Sequence, residues 1–231
     1  MAKSTEISAR HMKNLVENVK EVDRLTDIHS LITTKGRGRK HNVAVLHKGS
    51  IVLLVACWEA FIEDLANAAL EHMISAAKDY SIFPGAVLDR VGSKCSGPNA
   101  WKLAGEGWRT ELRSNLKEVL AKTTGTLNTP KTEQVDNLFE KTIGLDGISG
   151  SWKWKGESVA QSRAALDKVV SLRGSIAHRV KSATAVHLSD VTSYREFIFR
   201  LCVRSHNRVR EFIASQVGES PWEKYWFGET S

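Results

Sequence analysis

The 231-residue sequence predicts an all-α fold, an up-and-down helical bundle with inserted loops and short helices. Several segments repeat their apolar residues at three- and four-residue steps, the period of one helix face. One of them, Ile51–Leu65, is apolar nearly all round, as the central helix of a bundle must be. Helix punctuation is also present: Ser158 with Gln161 three positions on reads as an N-terminal capping box, and Gly144 stands where a helix would stop.

The first helix spans about residues 6–32, with Leu15, Val19, Val22, Leu25, Ile28 and Ile32 on its stripe and Lys13, Glu17, Lys20, Glu21 and Arg24 mostly off it. It runs into 33–41, which holds Arg37, Arg39 and Lys40 between and beside two glycines. Such a turn can wrap a phosphate backbone, and it also fits an ordinary solvated connection. The second helix covers about 43–78. Glu59 is its anomaly, an acid in the most hydrophobic stretch of the chain, and Arg173 is the obvious partner. Glu63 and Asp64, a turn later, are expected to face water.

Residues 80–106 are punctuated by Pro84, Gly85, Gly92, Gly97, Pro98 and Gly105, which predicts an irregular insertion with short helices at 86–91 and 100–103. A helix at about 108–122 places Leu112, Leu116 and Val119 or Leu120 on one face. A linker precedes a short helix at 132–143 built on Val135, Leu138 and Phe139. The following loop alternates Trp152, Lys153, Trp154 and Lys155. Bases stack on aromatic faces and phosphates pair with lysines, so these four residues are candidate RNA contacts; equally, the tryptophans can anchor the loop on the bundle. The capped helix from Ser158 follows, then a connection at 181–189 and a last helix at about 190–217. That helix turns Val191, Ile198, Leu201, Val209 and Ile213 inward and Arg195, Arg200, Arg204, Arg208 and Arg210 outward. The tail, 218–231, packs Trp222, Tyr225, Trp226 and Phe227 close together and is expected to dock on its own bundle or on a partner subunit.

Composition narrows the function classes. A formal charge of +7 favours an anionic partner, with nucleic acid ahead of membrane. Cys57, Cys95 and Cys202 are far apart and odd in number, which points to a reducing cytosol and against a disulfide framework or thiolate zinc site. The histidines lack metal-ligand spacing, and no nucleophile-elbow or dinucleotide motif occurs, so no metal and no cofactor are expected. The first residues carry no apolar secretory region, and the run Ile51–Trp58 is too short to span a bilayer. The expectation is one soluble, cytoplasmic domain over 1–231, with a core at about 40–215 and no membrane partner.

The chemistry-bearing stretch is Leu172–Arg179. Arg173 falls on the apolar stripe of Leu166, Val169, Val170, Ile176, Ala177 and Val180, where a charge needs a partner or a ligand. His178, five residues on, lies roughly 140° further round and about 7.5 Å along the axis. The two side chains diverge, and a twofold dimer in which this helix from each chain lines one cleft would gather both pairs. Gly174 and Ser175 leave room beside them for a substrate or another backbone. The plain alternative is a partnered structural arginine and a surface histidine.

Arg173-x4-His178 on a late bundle helix resembles the R-x4–6-H signature of HEPN domains. The helix Ile51–Leu65 with its embedded Glu59 resembles the family's early helix. The run Leu138–Gly144, the Trp- and Gly-containing loop and the capped helix are similar to the RiboL-PSP-HEPN branch; the resemblance covers about 40–215. It implies a metal-independent endoribonuclease acting in a composite dimer cleft and leaving a 2′,3′-cyclic phosphate and a 5′-OH. His178 would then be general acid or base, Arg173 the phosphate anchor, and Glu59 the group that orients one of them, with Gly174 and Ser175 supporting. The family's setting is toxin action or antiviral defence, with RNA as substrate and a homodimer as the working form. Many active members carry a polar residue where this chain has Gly174. The competing expectation is therefore a catalytically silent HEPN dimer that binds RNA or a protein, and a third makes the aromatic tail the recruiter of a regulatory protein partner.

Overall fold

The computed structural model describes residues 9–32, 43–124, 129–178 and 185–227. Among the described residues seven α-helices follow one another: α1 (Arg10–Ile32), α2 (Ala44–Ala76), α3 (Gly85–Lys94), α4 (Gly107–Thr124), α5 (Thr132–Ile143), α6 (Val159–His178) and α7 (Leu188–Val217). Short 3-10 helices occupy Tyr80–Ile82, Gly97–Leu103 and Ile148–Ser151. Among the described residues the extended backbone amounts to an isolated antiparallel bridge between Trp154 and Glu157. The all-α bundle expected from the apolar period is what forms.

The bundle is built around α2. From Ile51 to Leu65 it is apolar nearly all round, so water is excluded there only if other helices surround it. Helices α1, α4, α5, α6 and α7 all pack on it. Leu54, Val55, Trp58, Ile62 and Leu65 lose all their exposure, each such burial contributing about 1.5–3 kcal/mol. In length and composition α2 would pass for a membrane span, with an 18-residue window of mean hydropathy 1.6; its packing is that of a core helix. Arg109 caps its C-terminal end, with Nη1 donating to the Ile74 carbonyl at 2.8 Å and Nη2 donating to that of Ala77. The guanidinium thereby satisfies carbonyls that the helix end leaves without partners.

Local signals worked as chemistry. The Ser158 N–H donates to Gln161 Oε1 at 2.9 Å and the Gln161 N–H donates back to Ser158 Oγ at 3.3 Å, a reciprocal box at the start of α6. Gly144 ends α5 in the left-handed region at φ 81°, its N–H donating to Glu140 O, while the Leu145 N–H reaches Phe139 O. Other expectations are corrected. The short helices expected at 86–91 and 100–103 form, but over longer spans, Gly85–Lys94 and Gly97–Leu103, because Gly85 opens α3 behind Pro84 and Gly92 lies in its last turn. Ile28 is exposed, since the apolar cover over α1 stops short of its last turns. Glu63 and Asp64 are half-buried rather than in water, and α1 reaches Asp64, where Asn14 Nδ2 donates to Asp64 Oδ2 at 2.7 Å.

The tail docks on its own bundle through α7. Asn207 exchanges two hydrogen bonds with the Tyr225 backbone, and Arg210 Nε donates to Trp222 O at 2.8 Å. His206 Nε2 lies 2.9 Å from Glu223 O, a carbonyl that can only accept, so this nitrogen carries the proton. Its Nδ1 is then a lone pair, and His11 Nε2, 2.8 Å away, must donate to it. Both rings are buried under Trp222, whose ring centroid is 4.6 Å from that of His11.

Burial pushes His11 down to about 3, helped by the neighbouring His206, and pushes His206 down to about 4. Folded values below the unfolded one mean that the unfolded chain binds more protons between about pH 6.5 and 4, so stability falls as pH drops through that window. Each ring contributes up to about 1.4 kcal/mol per pH unit. Urea titrations should show ΔG of unfolding declining below pH 6.5, with a His11→Gln/His206→Gln variant less stable at pH 7 and much flatter below it. An unchanged slope in that variant would acquit the pair.

Candidate functional site

Helix α6 carries the site, and three polar anchors set its position. Asp167 Oδ1 accepts from the Thr132 N–H at 2.9 Å and from Thr132 Oγ1 at 3.0 Å, joining α6 to the start of α5. Arg163 Nε donates to Ser149 Oγ at 2.9 Å, and Asp136 accepts from both the N–H and the hydroxyl of Ser149. With those contacts made, Leu166, Val169, Val170 and Ile176 turn inward. Arg173 lies on the margin of that face and is half-buried.

The surroundings of Arg173 differ from an ordinary structural arginine. Its Nε is buried with no hydrogen-bond partner among the described residues. Glu59 on α2 lies within electrostatic reach, yet no hydrogen bond or ion pair joins the two side chains. Burial raises the Glu59 carboxyl above its usual range, with the Arg173 charge pulling the other way. Glu63, one turn along α2, is raised by burial and then by Glu59 and Asp64. A cation with an uncommitted donor thus stands near the Glu59 carboxylate, which in turn repels that of Glu63, an arrangement that costs stability. The sequence reading missed Glu63; its spacing of four from Glu59, on the same helix face, was the available signal.

His178 is the last residue of α6 and is exposed. A methyl group built at Gly174 would meet no neighbour within 4 Å among the described residues, so their packing does not require glycine there, although it weakens a helix by up to about 1 kcal/mol against alanine. That space lies on the His178 side of α6, since Gly174 and His178 are four residues apart. Ser175 is exposed and its hydroxyl donates to the Leu172 carbonyl at 2.8 Å.

The tryptophan loop divides between the two readings held open above. Trp152 offers no stacking face: it is wholly buried, its Nε1 donates to Ser205 Oγ at 2.9 Å, and it meets Trp58 edge to face at 5.8 Å. It is a core anchor. Lys153 and Lys155 are exposed, and Trp154 is half-buried beside Phe197 and Arg200. Arg37, Arg39 and Lys40 lie outside the described residues. Among those described, no three His, Cys, Asp or Glu side chains gather as a metal site. Cys57 is buried and its thiol is pushed up to about 11 by desolvation, far from a nucleophilic thiolate.

No curated protein and no solved structure matches the chain. The family model described as RiboL-PSP-HEPN matches residues 13–211, from within α1 to near the end of α7. The match takes in Glu59 and the Arg173–His178 pair, extends over the first helix that the motif-based resemblance left out, and supports an RNA-related module. On that span and this all-helical architecture, the chain belongs to the RiboL-PSP-HEPN family.

Proposed function

We propose that the protein is a cytoplasmic endoribonuclease that needs no metal ion and acts as a homodimer. The observation that carries this is the buried, unpartnered Nε of Arg173 on the helix that ends in exposed His178. A guanidinium donor without a protein acceptor suits a phosphate oxygen. The ribose 2′-OH attacks the adjacent phosphorus, the bond to the 5′-oxygen breaks, and the products are a 2′,3′-cyclic phosphate and a 5′-OH. One imidazole takes the 2′-OH proton and another delivers a proton to the leaving oxygen. Arg173 stabilises the charge that builds on the phosphorane, and Glu59 is a positioning residue that acts through Arg173. DNA lacks the attacking hydroxyl and is not cut. The setting we infer, by family analogy alone, is RNA restriction in toxin action or antiviral defence.

Two proton-transfer groups are needed and each chain supplies one His178, which favours two copies around one cleft. An apolar surface is at hand for that contact. On α2, Val45 and Leu53 are exposed at 69% and 38%. They share with Gly49, Val52, Ala56 and Ala60 a sector of about 100°, the width of a helix-packing stripe. A second reading, a silent RNA- or protein-binding dimer, is favoured by Gly174 standing where many active relatives are polar.

Purified protein incubated with mixed RNA in EDTA should yield 2′,3′-cyclic phosphate ends, with the rate reduced about 10²–10⁴-fold in His178→Ala. Equal cutting by the two proteins would remove His178 from the chemistry; RNA retention without cutting by either would select the silent dimer. Leu53→Asp should give a monomer by light scattering and lose cleavage with it, and a monomeric variant that still cuts would dismiss the shared cleft. Because the folded Glu59 carboxyl is raised, its ionisation opposes folding as pH rises, so Glu59→Gln should melt higher than wild type at pH 7 and lose that advantage near pH 4. The same variant should cleave more slowly; faster or unchanged cleavage would deny Glu59 a positioning role.

A further inference from the structure

Along the outer side of α7 the tail builds a second feature, remote from Arg173 in the fold. Backbone clamps by His206, Asn207 and Arg210 hold 222–225 against the helix. Beyond the clamp the chain presents a cleft of about 200 Å³ lined by Trp154, Arg200, Arg204, Lys224, Trp226 and Phe227 among others. Drug-sized pockets run to roughly 300–1,000 Å³, so this one suits a single planar ring with its ends in solvent.

Rings and cations alternate here in a specific way. The Arg200 guanidinium lies 4.5 Å from the Phe227 centroid and 5.8 Å from that of Trp154, and Lys224 Nζ lies 5.0 Å from that of Trp226. Trp226 is 73% exposed, an unusual condition for the largest apolar side chain when the backbone beneath it is pinned. Arg204 is exposed and makes no ion pair among the described residues. Arg200 and Lys224 pair with Glu196 and Glu211 at 2.5 and 3.3 Å, exposed contacts that salt or a phosphate readily displaces. Exposed aromatic faces set between surface cations are the chemistry that holds a single polynucleotide strand, base on ring and phosphate on cation.

We propose that this cleft binds single-stranded RNA, stacking a base on Trp226 and placing the flanking phosphates on Arg204 and Lys224. It is a docking surface distinct from the cleaving groups: α6 begins only a few residues after Trp154, and Arg173 lies about 21 Å further along that helix. The choice of RNA over DNA rests on the endoribonuclease reading, whereas the stacking and charge arguments do not.

Fluorescence anisotropy with a labelled oligouridylate of about twelve nucleotides, within the ~4–16 that a small strand-binding surface covers, tests it in a His178→Ala background that spares the probe. Trp226→Ala should weaken binding about ten- to hundredfold, and Trp226→Phe should recover most of the loss. Arg204→Ala should weaken binding and lower the slope of log affinity against log salt by about 0.7. Both side chains are exposed, so unchanged melting temperatures will show that the fold is intact. Parental affinity in Trp226→Ala and Arg204→Ala overturns the proposal. So does loss with Arg204→Ala alone when polyglutamate displaces the RNA equally well, the behaviour of a general anion surface. An oligodeoxyuridylate bound with the same Trp226 dependence supports a strand site that reads base and phosphate. Trp226-dependent binding by a wild type that never cuts RNA would remove the nuclease and leave the cleft; cutting without Trp226 dependence would remove only the cleft.

Discussion

The constraint on which the fold depends is that α2 is apolar nearly all round from Ile51 to Leu65. A helix apolar all round is stable in water only when wrapped, and here α1, α4, α5, α6 and α7 do the wrapping. The placement of α6, and so of Arg173, follows from that need. The carboxylates of Glu59 and Glu63 are half-buried as a consequence of lying on the helix around which the five others pack. Their raised affinity for protons and the uncommitted Arg173 donor are two expressions of the same enclosure. A site assembled at the edge of a core is dry enough for charge to act strongly and open enough for a polymer to enter.

Polar contacts refine what apolar burial leaves degenerate. Helices can rotate or slide at little cost in buried area, and directional bonds remove that freedom. Trp58 donates to Pro130 O and Trp152 to Ser205 Oγ, so two large rings that meet edge to face also fix the register of distant segments. Asp136, Ser149 and Arg163 do the same for the turn that leads into α6. His178 depends on them indirectly, since the rotation of α6 decides where its last side chain points.

Much of this was legible in one dimension. The bounds of α5, the box at Ser158 and Gln161, the stop at Gly144 and the centrality of α2 all follow from local chemistry and from period. The nearness of Glu59 to Arg173 followed from asking where an acid in an apolar run could find a countercharge. What was not legible shares a physical cause. Trp152 and Trp154 are two apart in irregular backbone, which has no period to say that one goes in and the other toward the surface. The cover over Asp64 comes from Asn14, 50 residues away, and the tail's seat comes from side chains of α7 that sequence pattern assigned only to inside or outside. Gly85 and Gly92 looked like breakers because propensity is read without knowing that one position starts a helix and the other lies in its final turn.

The hydrogen-bonded chain from His11 through His206 to the Glu223 carbonyl spans 195 residues in its first link alone. Closing so long a loop costs entropy that no short-range contact has offset in advance, and high contact order slows folding. The link joins α1 to α7, and both of these helices pack on α2. The tail is thus held twice, by clamps on α7 only 12–18 residues away in sequence and, through His206, by a ring on α1 at the other end of the chain, so the aromatic cleft is tied to both ends of the bundle.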